Sequence, residues 1–289
     1  MKPAPFAYYQ PHSIEETTSL LTEHGDEAKI LAGGQSLIPM MNLRLAQPAA
    51  LIDISKVPGI ANTEVNGEIR IGTMSRQANV LDSSQIRGAA PLIPEALKWV
   101  GHAANRNRGT FGGSIAHADA AAELPAVLLA LNGEVVAKSE SGERRIGADD
   151  FFKSYLTTAL SSNELLCEVL IPIPGPDTIW GFTEFARRHG DFALAGVAFT
   201  AQLKNGTISA SRIALLGVAD RAIRAVNAEN ALNGQSIPDA ATSRDIGSLV
   251  STELDPPFDQ HGSSEYRKDL AATLVSRVID KACEERRNS

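Results

Sequence analysis

The chain has 289 residues, 43% of them hydrophobic and 21% charged, with a formal net charge of −7. That length suits two or three subdomains with sizeable cores, and the acidic balance argues against a surface for nucleic acid or anionic membranes. No window nears the roughly 18–20 unbroken apolar residues of a membrane span.

From the N-terminus, Met1-Lys2-Pro3-Ala4-Pro5-Phe6 lacks the apolar core of a signal peptide, and a cytoplasmic location is expected. Ser13 ahead of Ile14-Glu15-Glu16 predicts an N-capped helix running to Glu23-His24, with Gly25 as its stop. Lys29 to Ala32 reads as a strand, Leu37 to Leu45 as a helix and Leu51-Ile52-Asp53-Ile54 as a second strand, together a strand–helix–strand unit within residues 1–56. In residues 57–176, Ile69–Gly72 and Glu134–Ala137 read as strands, Leu92–Ala104 and Glu123–Leu131 as helical. The prolines and glycine of Leu170–Pro176 mark a boundary. In residues 177–289, strand patterns at Gly181–Ala186, Val197–Leu203 and Ile208–Leu216 come first, the last two joined by Asn205-Gly206, a hairpin signal. Helical patterns at Ala222–Leu232, Ala240–Val250 and Ser264–Cys283 follow.

Two glycine pairs with adjacent hydroxyls carry the most chemistry: Gly33-Gly34-Gln35-Ser36 after a strand, and Gly109-Thr110-Phe111-Gly112-Gly113-Ser114. A diphosphate is best held by backbone N–H groups, and glycine lets the main chain approach closely. Either loop alone reads more simply as a turn. Neither G-x-G-x-x-G nor a Gly-Lys-Ser/Thr sequence occurs, which removes the usual dinucleotide and P-loop readings. Asp119 and Glu123, beyond the second loop, are suited to accept ribose hydroxyls, or are solvated carboxylates. His117, Asp119 and Glu123 do not match a metal-ligand spacing. Arg187-Arg188-His189-Gly190-Asp191 is either a surface cluster or a source of positive charge beside a flavin, with Arg187 the candidate. Cys167 and Cys283 are the only cysteines, too few for an iron–sulfur cluster and not expected to pair in a reducing compartment. Redox chemistry here therefore needs a bound organic cofactor, and no catalytic or metal-binding side chain is assigned.

In chain order, Phe6-Ala7-Tyr8, Pro11-His12-Ser13-Ile14-Glu15-Glu16, Leu31-Ala32-Gly33-Gly34-Gln35-Ser36-Leu37-Ile38-Pro39 and Leu51-Ile52-Asp53-Ile54 lead to Arg106-Asn107-Arg108-Gly109-Thr110-Phe111-Gly112-Gly113-Ser114. Arg187-Arg188-His189-Gly190-Asp191-Phe192-Ala193 and Glu265-Tyr266-Arg267 follow. Over essentially the whole chain these motifs resemble the FAD-binding medium subunits of molybdenum hydroxylases, of the xanthine dehydrogenase and aerobic carbon monoxide dehydrogenase type.

The resemblance implies an α+β chain with the vanillyl-alcohol-oxidase (PCMH) type FAD-binding fold. Two α/β subdomains would hold FAD, followed by a C-terminal antiparallel sheet with helices. It implies that Ala32, Gly33, Gly34, Gln35 and Ser36 wrap the FAD diphosphate from one side, with Leu31 and Leu37 also cofactor-binding, and that Thr110, Gly112, Gly113 and Ser114 wrap it from the other. Glu123 stands where the family usually has an Asp on the adenosine ribose, with Asp119 a second candidate. Ser114 replaces a common Asn, and Glu184 stands where many relatives carry Lys; a carboxylate there would disfavour an anionic reduced flavin, or else points elsewhere. The implied function is an electron relay in a complex with a small subunit bearing two [2Fe–2S] clusters and a large molybdenum–pterin subunit, assembled as a dimer of heterotrimers. FAD would pass electrons to an external acceptor. A self-contained flavin oxidase or reductase, and a non-enzymatic nucleotide-binding module, are the competing readings. The substrate and terminal acceptor are not encoded in these motifs.

Overall fold

The computed structural model describes residues 2–287, whose strands form three main sheets and one small hairpin. The first helix, Ile14–His24, is fixed by its ends. Ser13 Oγ accepts the Glu16 N–H at 3.0 Å and Glu16 Oε2 accepts the His12 N–H at 2.7 Å, while the Gly25 N–H closes on Leu21 O. It packs on three parallel strands in the order Ala7–Tyr9, Ala50–Asp53, Ala28–Leu31. The helix Leu37–Asn42 links the last two of these, giving the expected strand–helix–strand unit. Leu21, Ala28, Ala50, Ile52 and Ile54 share one apolar cluster with Met74, Leu165 and Cys167 of the next sheet.

That second sheet is antiparallel, in the order Thr63–Asn66, Glu68–Gly72, Leu165–Pro172, Glu134–Ser139, Gly142–Gly147. Its middle strand is the apolar run Leu165–Ile171, paired on both sides. In the sequence the end of this run reads only as a boundary, because a short apolar stretch before prolines carries no alternation. Helix Phe111–His117 lies against it, while Leu92–Leu97 and Glu123–Ala130 share its apolar cluster, and every residue of Glu123–Ala130 is buried. The single helical stretch expected at Leu92–Ala104 is instead two helices, Leu92–Leu97 and Ala103–Arg108. The break is held by the His102 N–H, which donates to Asn105 Oδ1 at 3.2 Å and starts the second helix.

The third sheet is antiparallel: Thr178–Phe185, Ala195–Lys204, Thr207–Leu216, Ile223–Arg224. Asn205 and Gly206 both have positive φ (53° and 76°), as a tight hairpin with right-handed strand twist demands. The helix expected from Ala222 starts at Val226, because Ile223 and Leu215 pair as strands. Alternation splits the sheet between two cores. Ile179, Val197 and Phe199 face the helices Val226–Leu232, Ala240–Glu253 and Ser264–Arg287. Trp180, Phe182 and Ala198 face the Glu123–Ala130 helix and the second sheet. The third sheet is thus sandwiched between its own helices and the preceding subdomain. Both cysteines are buried, Cys167 at 5% exposure and Cys283 at 1%. Among the described residues no helix is long and apolar enough to cross a membrane.

Candidate functional site

The first glycine loop leaves the C-terminal end of Ala28–Leu31, and Gly34 at φ 70° turns it into the helix Leu37–Asn42. Among the described residues, the N–H groups of Gly33, Gly34, Gln35 and Ser36 meet no acceptor. Ser36 does not cap the helix with its side chain, so this turn carries a row of unspent donors. Unpaired backbone N–H groups are costly unless water or a ligand accepts them. Gln35 bonds back to Gly33 O at 3.2 Å and receives Asn105 Nδ2 at 3.5 Å. Leu31 and Leu37 flank the loop, half-buried.

The second loop is built differently. Thr110 Oγ1 accepts the Gly113 N–H at 3.1 Å and caps the helix Phe111–His117. Gly109 donates to Asn105 O, Phe111 to Ser75 O, Gly112 to Thr73 O and Ser114 to Thr110 O. Of the amides from 109 to 114, only that of Thr110 lacks an acceptor among the described residues. Close packing explains these glycines: a Cβ on Gly112 would overlap Thr73, and one on Gly113 would lie 2.5 Å from Thr110 Oγ1. The buried Thr73, Ser75 and Gln77 that cradle the loop went unread in the sequence. Their signal was the run Gly72-Thr73-Met74-Ser75 directly after a strand.

The two loops touch. A Cβ on Gly33 would stand 2.5 Å from Arg108 O, 2.8 Å from Gly109 Cα and 3.0 Å from Thr110 N, and one on Gly113 would meet Ala32 Cβ at 3.4 Å. The free donors of Gly33, Gly34, Gln35, Ser36 and Thr110 therefore lie along one seam. This donor set fits an anionic diphosphate, which accepts several N–H bonds and needs no side-chain cation.

Beyond Phe111–His117 the chain turns on Asp119, whose Oδ1 accepts the Ala121 N–H at 2.9 Å. Glu123 opens the next helix, and burial pushes its carboxyl up to about 7, with Asp119 adding to the rise and Arg106 opposing it. Relative to an ordinary 4.5 this costs about 3 kcal/mol. Burial of Leu124, Val127, Leu128 and Leu129 in the same helix, at about 1.5–3 kcal/mol each, outweighs it. Burial likewise lowers the pKa of His117. Glu184 lies on the core-facing side of Thr178–Phe185 with Trp180 and Phe182, and both its oxygens are buried without a hydrogen-bond partner. Burial, with Glu123 opposite, pushes it up to about 8. Burial thus favours the neutral acid form of Glu184.

Arg187 is not drawn into the seam; it is exposed and its Nη1 lies 3.3 Å from His261 Nδ1. Its neighbours are the bridge: the His189 ring stacks on Trp99 at 5.6 Å, and Gly190 abuts His102. The polar loop thus folds over the turn that precedes Ala103–Arg108.

A strand-ended glycine seam on this three-sheet scaffold suits a protein that holds a diphosphate-bearing cofactor, and comparison with known proteins gives the family. Residues 4–174 match the model described as FAD binding domain in molybdopterin dehydrogenase, and residues 180–282 that of the CO dehydrogenase flavoprotein C-terminal domain. The chain is 42% identical over 287 residues to the 6-hydroxypseudooxynicotine dehydrogenase complex subunit alpha of Paenarthrobacter nicotinovorans, covering 98% of this chain and 96% of that one. It is also 42% identical over 284 residues to the nicotine 6-hydroxylase medium subunit of the same organism, covering 98% and 99%. A structure of carbon monoxide dehydrogenase from Hydrogenophaga pseudoflava superposes with a TM-score of 0.95 at 36% identity, covering 98% of both chains. The chain belongs to the family of FAD-binding medium subunits of molybdenum hydroxylases, oxidoreductase components with the PCMH-type fold.

Proposed function

We propose that this chain is the electron-transfer subunit of a molybdenum hydroxylase, holding FAD with its diphosphate on the seam between the glycine loops. The observation that carries the reading is the set of unspent N–H donors at Gly33, Gly34, Gln35, Ser36 and Thr110, gathered where the loops touch. Ala32, Gly112 and Gly113 supply close packing, the Ser36 and Ser114 hydroxyls further donors, and Leu31 and Leu37 apolar walls. Glu123 accepts the adenosine ribose hydroxyls, with Asp119 ordering the turn before it. Arg187 serves the outer face of the flavin region rather than the diphosphate. When bound, FAD would supply the redox chemistry between [2Fe–2S] clusters on a small subunit and an external acceptor, and the residues named here would hold and orient it.

The large molybdenum–pterin subunit does the substrate chemistry, in an assembly of two heterotrimers. The two relatives at 42% identity carry nicotine-derived names, which favours an N-heterocyclic substrate for the complex.

The test is Gly33→Ala in the purified complex, which drives a methyl group against Arg108 O and Gly109 Cα. FAD content should fall severalfold. Substrate should still reduce the iron–sulfur clusters, while reduction of the external acceptor falls in step with the lost flavin. Acceptor reduction at the normal rate without FAD would refute the relay, and normal FAD content in a folded variant would refute the seam.

A further inference from the structure

One atom at the seam has the wrong sign for an anion. Arg108 ends the helix Ala103–Arg108, so its carbonyl has no further helical N–H to accept. That oxygen lies against the first loop, where a Cβ on Gly33 would stand 2.5 Å from it. A bare carbonyl at a helix C-terminus, set among N–H donors, repels the anion those donors attract. The fold covers it with Arg76, whose Nη1 donates to Arg108 O. The main chain of Arg76 pairs antiparallel with Thr110 in an isolated bridge. On either side of that bridge the Gln77 N–H donates to Gly109 O at 3.0 Å and the Phe111 N–H to Ser75 O at 2.9 Å. Backbone bonds thus fix Arg76 beside the second loop without help from its side chain. Its charge, meanwhile, is uncompensated. In a chain of net charge −7, Arg76 is half-buried yet in no ion pair among the described residues.

We propose that Arg76 is a positioning residue for the cofactor diphosphate: it masks the Arg108 carbonyl where the two loops touch and lends the seam a fixed positive charge. The inference rests on the reading of the seam given above. The amides of Gly33, Gly34, Gln35, Ser36 and Thr110 can hold an anion unaided, but they do nothing about an acceptor oxygen at their side. A guanidinium does two things at once. It occupies the carbonyl with one N–H, and its charge, present at every working pH, acts on the anion across the contact. Masking and charge both favour the loaded chain over the empty one. A side chain that merely braced the loop would do so through shape, with no dependence on salt.

The experiment measures the FAD dissociation constant of the complete, FAD-stripped chain by flavin fluorescence at about 50 mM and about 500 mM salt, where such a charge is weakly and strongly screened. Arg76→Met removes donor and charge together and should weaken FAD about tenfold or more at the lower salt. That deficit should shrink severalfold at the higher salt, because wild type loses an attraction the variant never had. Arg76→Lys keeps a charge and a donor for the one carbonyl, and should stay within about threefold of wild type at both salts. If the Met variant does not fold, Arg76→Gln, a donor without charge, makes the same comparison of salt dependence. A Met variant within about twofold of wild type, a deficit equal at both salts, or a Lys variant as weak as Met overturns the proposal. Gly33→Ala in the same assay separates the two readings. Wild-type affinity in that variant sinks the seam itself, whereas a severalfold loss there beside unaltered binding in Arg76→Met sinks only the role of Arg76.

Discussion

Thr110 shows how much one side chain carries at the seam. Its hydroxyl caps Phe111–His117 by accepting the Gly113 N–H, its carbonyl accepts the Ser114 N–H, and its own amide lies beside Gly33. Thr110→Ala should destabilise the FAD-free chain by about 1 kcal/mol, the usual worth of such a cap, read from the urea midpoint. Thr110→Ser should recover most of it; a Ser variant as weak as Ala would mean that the buried methyl group, not the cap, matters. At this scale the sequence was legible where a residue type has few uses. Ser13, Gly25 and Asn205-Gly206 fell where their chemistry required. Gly112 and Gly113 were read as donors around a phosphate, yet their amides are spent inside the chain. The partner that demands a glycine at 112 is Thr73, so remote in sequence that nothing near 112 points to it.

Among the elements, the C-terminal helix is tied down by a buried arginine. Arg267 Nη1 donates to Leu194 O at 2.6 Å and Gly217 O at 2.9 Å, and Nη2 to Asp259 Oδ2 at 2.8 Å. These bonds fasten the helix start to one end of the sheet, where one inner strand begins and its antiparallel neighbour finishes. Arg267→Met should cost about 3 kcal/mol in chemical denaturation, since carbonyls and a carboxylate lose their donor together. Arg267→Lys should rescue little, because a point charge cannot serve three acceptors in a planar fork. Full stability in the Lys variant would contradict this. The helix itself was readable from its apolar spacing, and Glu265-Tyr266-Arg267 from the family pattern. That its arginine is buried was not, because an exposed and a buried arginine look alike in one sequence. The middle strand Leu165–Pro172 was hidden for a related reason: burial on both faces erases the alternation that announces a strand.

For the whole molecule, the boundary between the two family-model spans is not a boundary in the core. Phe182, Ala198, Ala214 and Leu216 belong to one apolar cluster with Leu124, Leu128 and Phe111. The last carbonyls of the Glu123–Ala130 helix are served from the third sheet, Ala130 O by Thr200 Oγ1 at 2.7 Å and Leu129 O by Arg212 Nε at 2.6 Å. A chain ending at Pro176 should therefore be insoluble or unfolded, and the intact FAD-free chain should melt in a single calorimetric transition. Two separated transitions, or a folded 1–176 fragment, would show that the spans are independent. The sequence set out three segments along the chain but held no sign that the second and third share a core, since that depends on which strand face meets which helix.

The burial of Cys167 and Cys283 has a consequence for an oxidoreductase component. Burial pushes the Cys167 thiol up to about 12, so almost none of it is thiolate, and Cys283 is enclosed by the C-terminal core. Peroxide and disulfide reagents attack thiolates they can reach. The thiols of this chain are thus kept out of reach: stray oxidants can pass close by without finding a thiolate to modify.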